Sequence, residues 1–285
     1  MIDDEMTQME DKAFSSIDFV GQCLFDPEKA ELFEKRITEV MKPGYRVLDV
    51  GTGSGILALL SAKAGAKEVT ALEFDPFVAE IARENFKNNG CADKIELLVG
   101  DARDYDFGKR APFDVVTMEM LSSGMVDEMQ VQAVGNLHRR GVVSPSTVFI
   151  PGNEETFISL INADFNLFGL HMKMILHDWK VFKDIKTQEL TEAALLNSID
   201  FSEAHDELFD ATVTLAVRED GVANALWLTS RASMGGAGFL ENTISVNPPV
   251  AIPIPERKVS KGEKISARVR YKFGHGYQNF RVAIS

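Results

Sequence analysis

The pattern of hydrophobic and polar positions changes near Pro151. Before that proline, short continuous apolar runs alternate with helical patterns, which is typical of buried parallel strands joined by helices. After it, apolar and polar residues alternate along short segments, which is typical of antiparallel strands. The pattern therefore predicts a parallel α/β domain over residues 1–150 and a small antiparallel β-barrel or sandwich domain over residues 151–285.

The predicted elements follow from these runs. In the first part, strands are predicted over Val47–Val50, Glu68–Leu72, Ile95–Val99 and Phe113–Met118, with a further strand from Val148, and helices over Ile56–Ala64 and Val131–Arg139. In the second part, strands are predicted over Thr212–Arg218, Ala225–Ser230, Lys264–Phe273 and Phe280–Ile284, the first two joined by a hairpin turn at Asp220-Gly221. The proline-rich stretch 247–255 is expected to be an edge strand or a loop, because proline cannot donate to a strand ladder.

One turn carries the strongest chemical pattern. Residues 47–55 read V-L-D-V-G-T-G-S-G, a buried strand followed by glycines that let the backbone turn tightly and approach a ligand. The helix predicted after Gly55 offers unpaired N–H groups at its N-terminus. Glu73 lies about 20 residues beyond the glycines, the distance at which a carboxylate can bind a ribose diol. A dinucleotide fingerprint would need its third glycine at Ile56, and Asp49 would be an unusual buried charge there.

Further acids stand where strands are predicted to end. Gly51, Glu73, Asp101 and Glu119 each follow a predicted strand, and ligands bind outside the carboxyl ends of parallel strands. We therefore expect all four residues to line one crevice. For Asp101, the alternative is a cap of a turn or helix, which an aspartate at a strand end often supplies.

Composition narrows the classes of function. The chain has 285 residues, 45% hydrophobic and 26% charged, which suits a soluble globular protein. Its formal net charge of −13 disfavours a nucleic-acid partner and suits a cationic substrate. Cys23 and Cys91 are the only cysteines, so a reducing, cytoplasmic location is expected. The acidic segment 1–12 argues against a secretory signal, and no apolar run reaches the length of a membrane span, so no membrane partner is expected.

The glycine turn with Asp49 and Glu73 resembles the first motif of the class I, Rossmann-like S-adenosylmethionine-dependent methyltransferases. The resemblance implies S-adenosyl-L-methionine as the cofactor, with Asp49 orienting the turn and Glu73 binding the ribose hydroxyls. Asp101, in a Gly-Asp-Ala segment, is implied at the adenine edge. The cofactor-binding residues implied in this way are Lys29, Asp49, Gly51, Thr52, Gly53, Gly55, Glu73, Phe74, Asp101, Ala102 and Glu119.

The segment 118–129 carries a second resemblance. Its two glutamates, Glu119 and Glu128, have the spacing found in the double-glutamate loop of the protein arginine N-methyltransferases, S-E-x-x-G-x-x-L-x-x-E-x-M. The resemblance implies that both are catalytic and hold the guanidinium of the acceptor. A free guanidinium has a pKa of about 12.5 to 13.8, so two carboxylates can hold its charge while the remaining nitrogen faces the methyl group. Taken alone, Glu128 could instead be a solvated helix acid.

The order of the domains also resembles that family. The arginine methyltransferases place an antiparallel barrel directly after the Rossmann-like half, joined at a proline, and Ile150-Pro151 stands at the matching point. Residues 250–273 resemble the closing strands of that barrel. Residues 156–209 are too few for the family's full dimerisation arm, which predicts a compact, prokaryotic-like member that forms a homodimer through another surface. Residues 1–11 are expected to be disordered, or ordered only with ligand.

Two departures concern the site itself. Ser245-Val246-Asn247-Pro248 occupies the region of the family's Thr-His-Trp loop, so that loop's histidine has no counterpart there. Lys29 stands nearest the family's arginine for the methionine carboxylate, and a solvated lysine is an equal alternative. The five histidines are assigned to surface or packing positions: His138, His171, His177, His205 and His275.

These observations predict an S-adenosylmethionine-dependent N-methyltransferase that acts on a guanidinium or related cationic group. The acceptor would be a small molecule or a protein side chain. One alternative is a methyltransferase for a different small molecule or side chain. The other is a catalytically weak interaction protein that binds the cofactor.

Overall fold

A five-stranded parallel sheet forms the centre of the first part of the chain. The computed structural model describes residues 16–110, 112–180 and 185–285, so the expectation for residues 1–11 lies outside the described residues. The strands are β1 (Arg46–Val50), β2 (Glu68–Glu73), β3 (Ile95–Val99), β4 (Val115–Met118) and β5 (Val148–Ile150). Their order is β3-β2-β1-β4-β5, all parallel. The order reverses between β1 and β4, the place where open α/β sheets bind ligands.

Five helices accompany this sheet within the described residues. They are α1 (Ile17–Cys23), α2 (Pro27–Val40), α3 (Ile56–Lys63), α4 (Pro76–Asn88) and α5 (Gln130–Arg140). Both α2 and α4 begin in the same way, with an aspartate cap followed by proline, whose fixed φ suits the first helical position. The helices predicted at 56–64 and 131–139 are confirmed to within one residue at each end, and β4 begins two residues later than predicted.

The second part of the chain is antiparallel. One sheet contains β6 (Asn153–Ala163), β9 (Leu176–His177), β10 (Thr187–Glu189), β11 (Ala194–Asp200), β13 (Gly221–Ser233), β14 (Phe239–Leu240) and β15 (Val250–Val259). A second sheet contains β12 (Leu208–Ala216), β16 (Lys264–Lys272) and β17 (Arg281–Ile284). A two-stranded hairpin, β7 (Asn166–Leu167) and β8 (Leu170–His171), stands apart from both.

One expectation for this part needs correction. The predicted hairpin between β12 and β13 is wrong: β12 pairs with β16, whereas β13 pairs with β6 and β15, so the turn at Asp220 carries the chain from one sheet to the other. Of the predicted barrel or sandwich, a closed barrel is not confirmed, since the described strands form two sheets linked by a single bridge between Thr191 and Val217. The proline-rich strand β15 does have an open edge, since β9 pairs only with Val250 and Ala251.

The two parts share one hydrophobic core. The chain passes between them through a cis Ile150-Pro151 peptide bond. A single cluster of buried side chains includes Met118 at the end of β4 and also Leu228 and Tyr271 of the antiparallel strands. The loop that follows β4 is therefore held against strands of the second part of the chain. Every helix within the described residues is too short or too polar to cross a membrane.

Candidate active site

A cavity of about 260 Å³ lies at the carboxyl ends of the parallel strands. Gly51, Glu73, Asp101 and Glu119 all line it, so the structure brings together the four residues expected at one crevice. The other predicted residues at its wall are Lys29, Thr52, Gly53, Phe74, Ala102 and Glu128. Asp49 and Gly55 are predicted ligand contacts that lie outside this lining.

Asp49 acts on the glycine turn from beneath. It is 1% exposed, and its carboxylate accepts hydrogen bonds from the hydroxyls of Thr52 at 2.5 Å and Thr117 at 2.7 Å. Burial raises the pKa of Asp49 to about 6, and these two hydroxyls oppose that rise. Its role is therefore to hold Thr52 in the turn, which matches the implied orienting role and corrects the expectation of direct ligand contact.

Glu73 is held in place by backbone N–H groups. One carboxylate oxygen accepts from Gly53 N at 2.8 Å and the other from Asp75 N at 3.0 Å, and the residue is 4% exposed. Burial raises the pKa of Glu73 despite these bonds. The N–H of Phe74 also bonds this carboxylate, which is therefore oriented in advance to accept from a vicinal diol.

The glycines of the turn serve different purposes. Gly53 has φ of +54°, lines the cavity and donates its N–H to Glu73, and a Cβ there would lie 3.4 Å from Val20 on α1. Gly55 has φ of +87°, and a Cβ there would lie only 2.4 Å from the ring of Phe86. Gly55 is thus required by the packing of α3 against α4, which corrects its assignment as a ligand contact.

Asp101 lies at the cavity wall and also caps a turn. It lines the cavity, and its Oδ1 also accepts from Arg103 N at 2.9 Å, as a turn cap does. The Arg103 guanidinium donates to both carboxylate oxygens, at 2.6 Å from Nη2 to Oδ2 and 2.9 Å from Nε to Oδ1. Burial opposes ionisation, but the Arg103 bonds outweigh it and hold the pKa of Asp101 below its ordinary value.

Lys29 and Glu119 form an ion pair at the centre of the cavity wall. Lys29 Nζ lies 2.6 Å from Glu119 Oε2, and the side chains are 9% and 18% exposed. Burial acts to lower the pKa of Lys29, but the charge and hydrogen bond of Glu119 outweigh it and raise that pKa. The alternative of a solvated surface lysine is therefore wrong. A lysine between Glu119 and the glycine turn can meet a ligand carboxylate there.

Asp26 fixes the start of α2, and thereby Lys29. It is 1% exposed and accepts from Lys29 N at 3.1 Å as the helix cap. Its other oxygen accepts from the Thr243 hydroxyl and from Ser245 Oγ at 2.7 Å. Burial opposes ionisation, yet these bonds hold the pKa of Asp26 below its ordinary value. The loop at Ser245, which replaces the Thr-His-Trp region, therefore supports Lys29 from behind.

The second glutamate lies in the loop between β4 and α5. Glu128 lines the cavity and is half-buried, and Asp127 beside it also lines the cavity. Their N–H groups both lie near Ser122 Oγ, at 3.2 Å for Asp127 and 3.3 Å for Glu128. Because α5 begins only at Gln130, Glu128 is not a solvated helix acid.

His177, expected at a surface or packing position, packs against aromatic rings and also lines the cavity. His177 and Trp179 both line the cavity, reaching it from the antiparallel part of the chain. The two rings stack with centroids 6.3 Å apart, Tyr277 packs edge-on against His177, and His177 Nε2 lies 3.9 Å from Asp127 Oδ2. Burial lowers the pKa of His177. The only sequence signal was two aromatic side chains two residues apart, which share a face when extended.

Helix α1 supplies residues that sequence reasoning missed. Phe19, Val20 and Cys23 line the cavity and form its cover above the glycine turn. Burial raises the pKa of Cys23 to about 11, so its thiol stays neutral at pH 7. The cover is thus apolar, whereas the acids Glu119, Asp127 and Glu128 also line the cavity and Lys29 pairs with Glu119.

Known proteins are similar to this chain in sequence. The family model described as ribosomal protein L11 methyltransferase (PrmA) matches residues 31–184. An uncharacterized protein of Methanocaldococcus jannaschii is 31% identical over 259 residues, covering 91% of this chain and 93% of that protein. An arginine N(omega)-methyltransferase of Streptomyces achromogenes subsp. streptozoticus is 25% identical over 287 residues, covering 92% of this chain and 76% of that enzyme.

Solved structures show the same fold. The PRMT1 enzyme-prozyme heterotetrameric complex of Trypanosoma brucei, solved with AdoHcy, superposes with a TM-score of 0.70 at 20% identity and covers 87% of this chain and 85% of that one. Protein arginine methyltransferase 10 of Arabidopsis thaliana gives a TM-score of 0.69 at 17% identity, covering 86% of this chain and 85% of that one. The parallel sheet followed by antiparallel strands is therefore an arrangement that known structures share.

Proposed function

We propose that this chain, which belongs to the ribosomal protein L11 methyltransferase (PrmA) family, methylates a nitrogen of a guanidinium or similar cationic group. S-adenosylmethionine is its cofactor, and the protein is a methyltransferase. The similarity to the arginine N(omega)-methyltransferase of Streptomyces achromogenes supports a guanidinium acceptor. The acceptor would be free arginine, an arginine side chain of a protein, or a related cation.

The cavity fits the cofactor on the side of the glycine turn. Glu73 presents a carboxylate already oriented by Gly53 N and Asp75 N, which suits the two hydroxyls of a ribose. A Cβ at Gly51 would lie 3.0 Å from Met120 Sδ, so the close backbone surface depends on glycine there. We propose that Lys29 binds the methionine carboxylate, and that Asp101 and Ala102 lie beside the adenine.

The observation that carries the acceptor proposal is the negative charge beside that cofactor site. Glu119 and Glu128 both line the same cavity as the glycine turn, with Asp127 between them and His177. Two carboxylates can hold the charge of a guanidinium on one side of the group. With the cofactor bound, the opposite nitrogen would bond to the methyl carbon as the carbon–sulfur bond breaks and the sulfur keeps the electron pair. One of the two carboxylates would accept the N–H proton that this nitrogen loses. Trp179 offers an aromatic face against which a planar cation can stack.

The acceptor class can be tested directly with methyl-labelled S-adenosylmethionine. We expect the purified protein to label free arginine or an arginine-containing peptide at least about tenfold faster than a lysine-containing peptide, because two carboxylates match a guanidinium bidentately. Citrulline is the matched control, since it has the shape of arginine without its charge. Transfer to the lysine peptide or to citrulline at an equal rate would contradict the guanidinium proposal and favour another acceptor.

The same assay separates the remaining alternative. A protein that binds S-adenosylhomocysteine in calorimetry but labels none of these acceptors, nor any component of a cell extract, would be an interaction protein that has kept the cofactor site.

We also propose that the two parts of the chain, which meet at Pro151, have different roles. Residues 1–150 bind the cofactor, and residues 151–285 contribute to acceptor binding and assembly. Free Cys23 and Cys91 suit a reducing compartment, and we propose the cytoplasm as the location.

Assembly is a separate part of the proposal. The β7–β8 hairpin projects large apolar side chains, with Phe168 fully exposed and Leu170 63% exposed. Phe25 at 79% and Phe77 at 65% exposure are further exposed aromatic side chains, in the helical part of the chain. Exposed apolar surface of this kind marks interfaces. We propose that the hairpin of one subunit packs on Phe25 and Phe77 of another, so the dimer would use a short arm where another surface was expected.

Light scattering tests this assembly. We expect the wild-type protein to be a dimer at micromolar concentration and Phe168→Ser to shift it to monomer, because the substitution removes the most exposed apolar side chain of the hairpin. Leu208→Ser is the matched control, since Leu208 is 48% exposed but lies on β12 and not in the hairpin. A wild-type monomer, or an equal effect of both substitutions, would contradict the hairpin contact.

A further inference from the structure

The loop that carries the two glutamates is anchored at its middle. We name residues 119–129 the acceptor loop. Gly124 lies in a short 3-10 turn at the centre of this loop. Its N–H donates to Ser230 Oγ at 2.8 Å, and its carbonyl accepts from the Tyr271 hydroxyl at 2.7 Å. Both hydrogen-bonding groups of one residue are thus held by side chains of the antiparallel strands β13 and β16.

The two anchoring side chains are themselves fixed. Ser230 Oγ lies 3.1 Å from Thr156 Oγ1 on β6, and the Tyr271 hydroxyl accepts from Asn197 Nδ2 on β11 at 3.2 Å. Thr156 is fully buried and Tyr271 is 1% exposed. The ring of Tyr271 stacks on Phe280 with centroids 4.9 Å apart. A buried and bonded side chain has few rotamers, so Ser230, which accepts, and Tyr271, which donates, both meet Gly124 in one geometry.

Gly124 cannot move freely within this contact. Its φ is +72°, which favours glycine, and a Cβ there would lie 3.1 Å from Leu228 Cδ2. The flanking residues are bonded to the same part of the chain. Ser123 Oγ donates to Pro248 O at 2.6 Å, and the carbonyls of residues 125 and 126 each accept, at 2.9 Å, from the turn at 274–276. Four consecutive loop residues are therefore pinned to the antiparallel strands.

A buried acid lies beneath the anchor. Glu154 on β6 is fully buried, beside Ser230. Burial raises the pKa of Glu154 to about 8, and the neighbouring Ser230 hydroxyl opposes the rise only in part. The group is therefore neutral at pH 7, and it places no negative charge under the loop that carries Glu119 and Glu128.

We propose that Ser230 and Tyr271 are positioning residues for the acceptor. By holding Gly124 through its N–H and its carbonyl, they fix where Glu119 and Glu128 stand relative to the methyl group. The inference rests on the proposed function for the roles of the two glutamates. The hydrogen bonds that hold Gly124 can be tested without knowing the acceptor. Their effect on turnover is expected because misplacing two charged groups by about 1 Å is enough to lower turnover strongly.

The test compares Ser230→Ala and Tyr271→Phe with Thr191→Val. Thr191 is a matched control, since its buried hydroxyl accepts from the backbone N–H of Leu160 at 2.9 Å, in the segment between β10 and β11. We expect amide hydrogen exchange across residues 119–129 to rise in both anchor variants and not in the control. We also expect kcat/KM for the acceptor to fall by about tenfold in each, while the affinity for S-adenosylhomocysteine stays within about twofold of wild type.

The outcomes separate the two proposals. Unchanged exchange in the acceptor loop would overturn the anchor, whatever the wild-type activity. Losses of kcat/KM in the anchor variants that only equal that of Thr191→Val would reduce Ser230 and Tyr271 to packing residues. Ser230→Thr keeps a hydroxyl and should restore both the exchange pattern and kcat/KM. A wild type that methylates no guanidine would instead overturn the proposed function, with the exchange result still deciding the anchor.

Discussion

Replacing Glu119 or Glu128 by glutamine should lower turnover with a guanidinium acceptor by about 100-fold or more. Glutamine keeps the shape and one acceptor oxygen but removes the negative charge that holds the cation. The measurement is kcat with labelled cofactor at saturating acceptor. Glu96→Gln is the control, because Glu96 also forms an ion pair, with Arg110, but lies on β3 at the surface. Its turnover should match that of wild type.

The two variants should differ in their effect on the cofactor. Glu119 is the partner of the buried Lys29, at 2.6 Å, whereas the Glu128 N–H lies 3.3 Å from Ser122 Oγ within the acceptor loop. Glu119→Gln leaves Lys29 without its nearest anion. The affinity of this variant for S-adenosylhomocysteine should therefore change, because Lys29 is the proposed partner of the methionine carboxylate. Glu128→Gln should leave that affinity as it is. Wild-type turnover in both variants would rule out the guanidinium mechanism while leaving the methyltransferase fold in place.

The cofactor side of the site could be predicted from sequence because its signals are local. A strand, a glycine turn and a helix follow one another directly, and Glu73 ends the next strand, so neighbouring residues determine the geometry. Parallel strands also place their carboxyl ends at one edge, which is why Asp101 and Glu119 reach the same cavity as Glu73. Gly55 shows the limit of this reasoning, because its contact is Phe86, about 30 residues away on another helix.

The acceptor side could not be predicted in the same way, because it depends on long-range contacts. His177 and Trp179 reach the cavity from a short strand whose partner, β15, lies more than 70 residues further along the chain. The anchor at Gly124 joins residues more than 100 positions apart in the sequence. The mistaken hairpin at Asp220 has the same origin. A turn signal indicates that the chain reverses, but the packing of both sheets decides which strands then pair.

Glu73→Ala should weaken binding of S-adenosylmethionine by about 2 to 3 kcal/mol, the order expected for losing charged hydrogen bonds. The loss has two sources. The ribose hydroxyls lose their acceptor, and the N–H groups of Gly53 and Asp75 lose the carboxylate that now holds the turn at 2.8 Å and 3.0 Å. Glu73→Gln should be weakened less, since an amide oxygen can still accept from one of them.

Calorimetry with S-adenosylhomocysteine measures this effect, and the same strand provides the control. Glu68 begins β2, at the opposite end from Glu73, and pairs with Arg46 away from the cavity. Glu68→Ala should therefore bind the cofactor as wild type does, although it also loses a carboxylate from β2. Equal weakening by both substitutions would mean that the strand and not the carboxylate is responsible. Preferential binding of NAD over S-adenosylhomocysteine by the wild-type protein would contradict S-adenosylmethionine as the cofactor, because the glycine turn and Glu73 would then serve a dinucleotide.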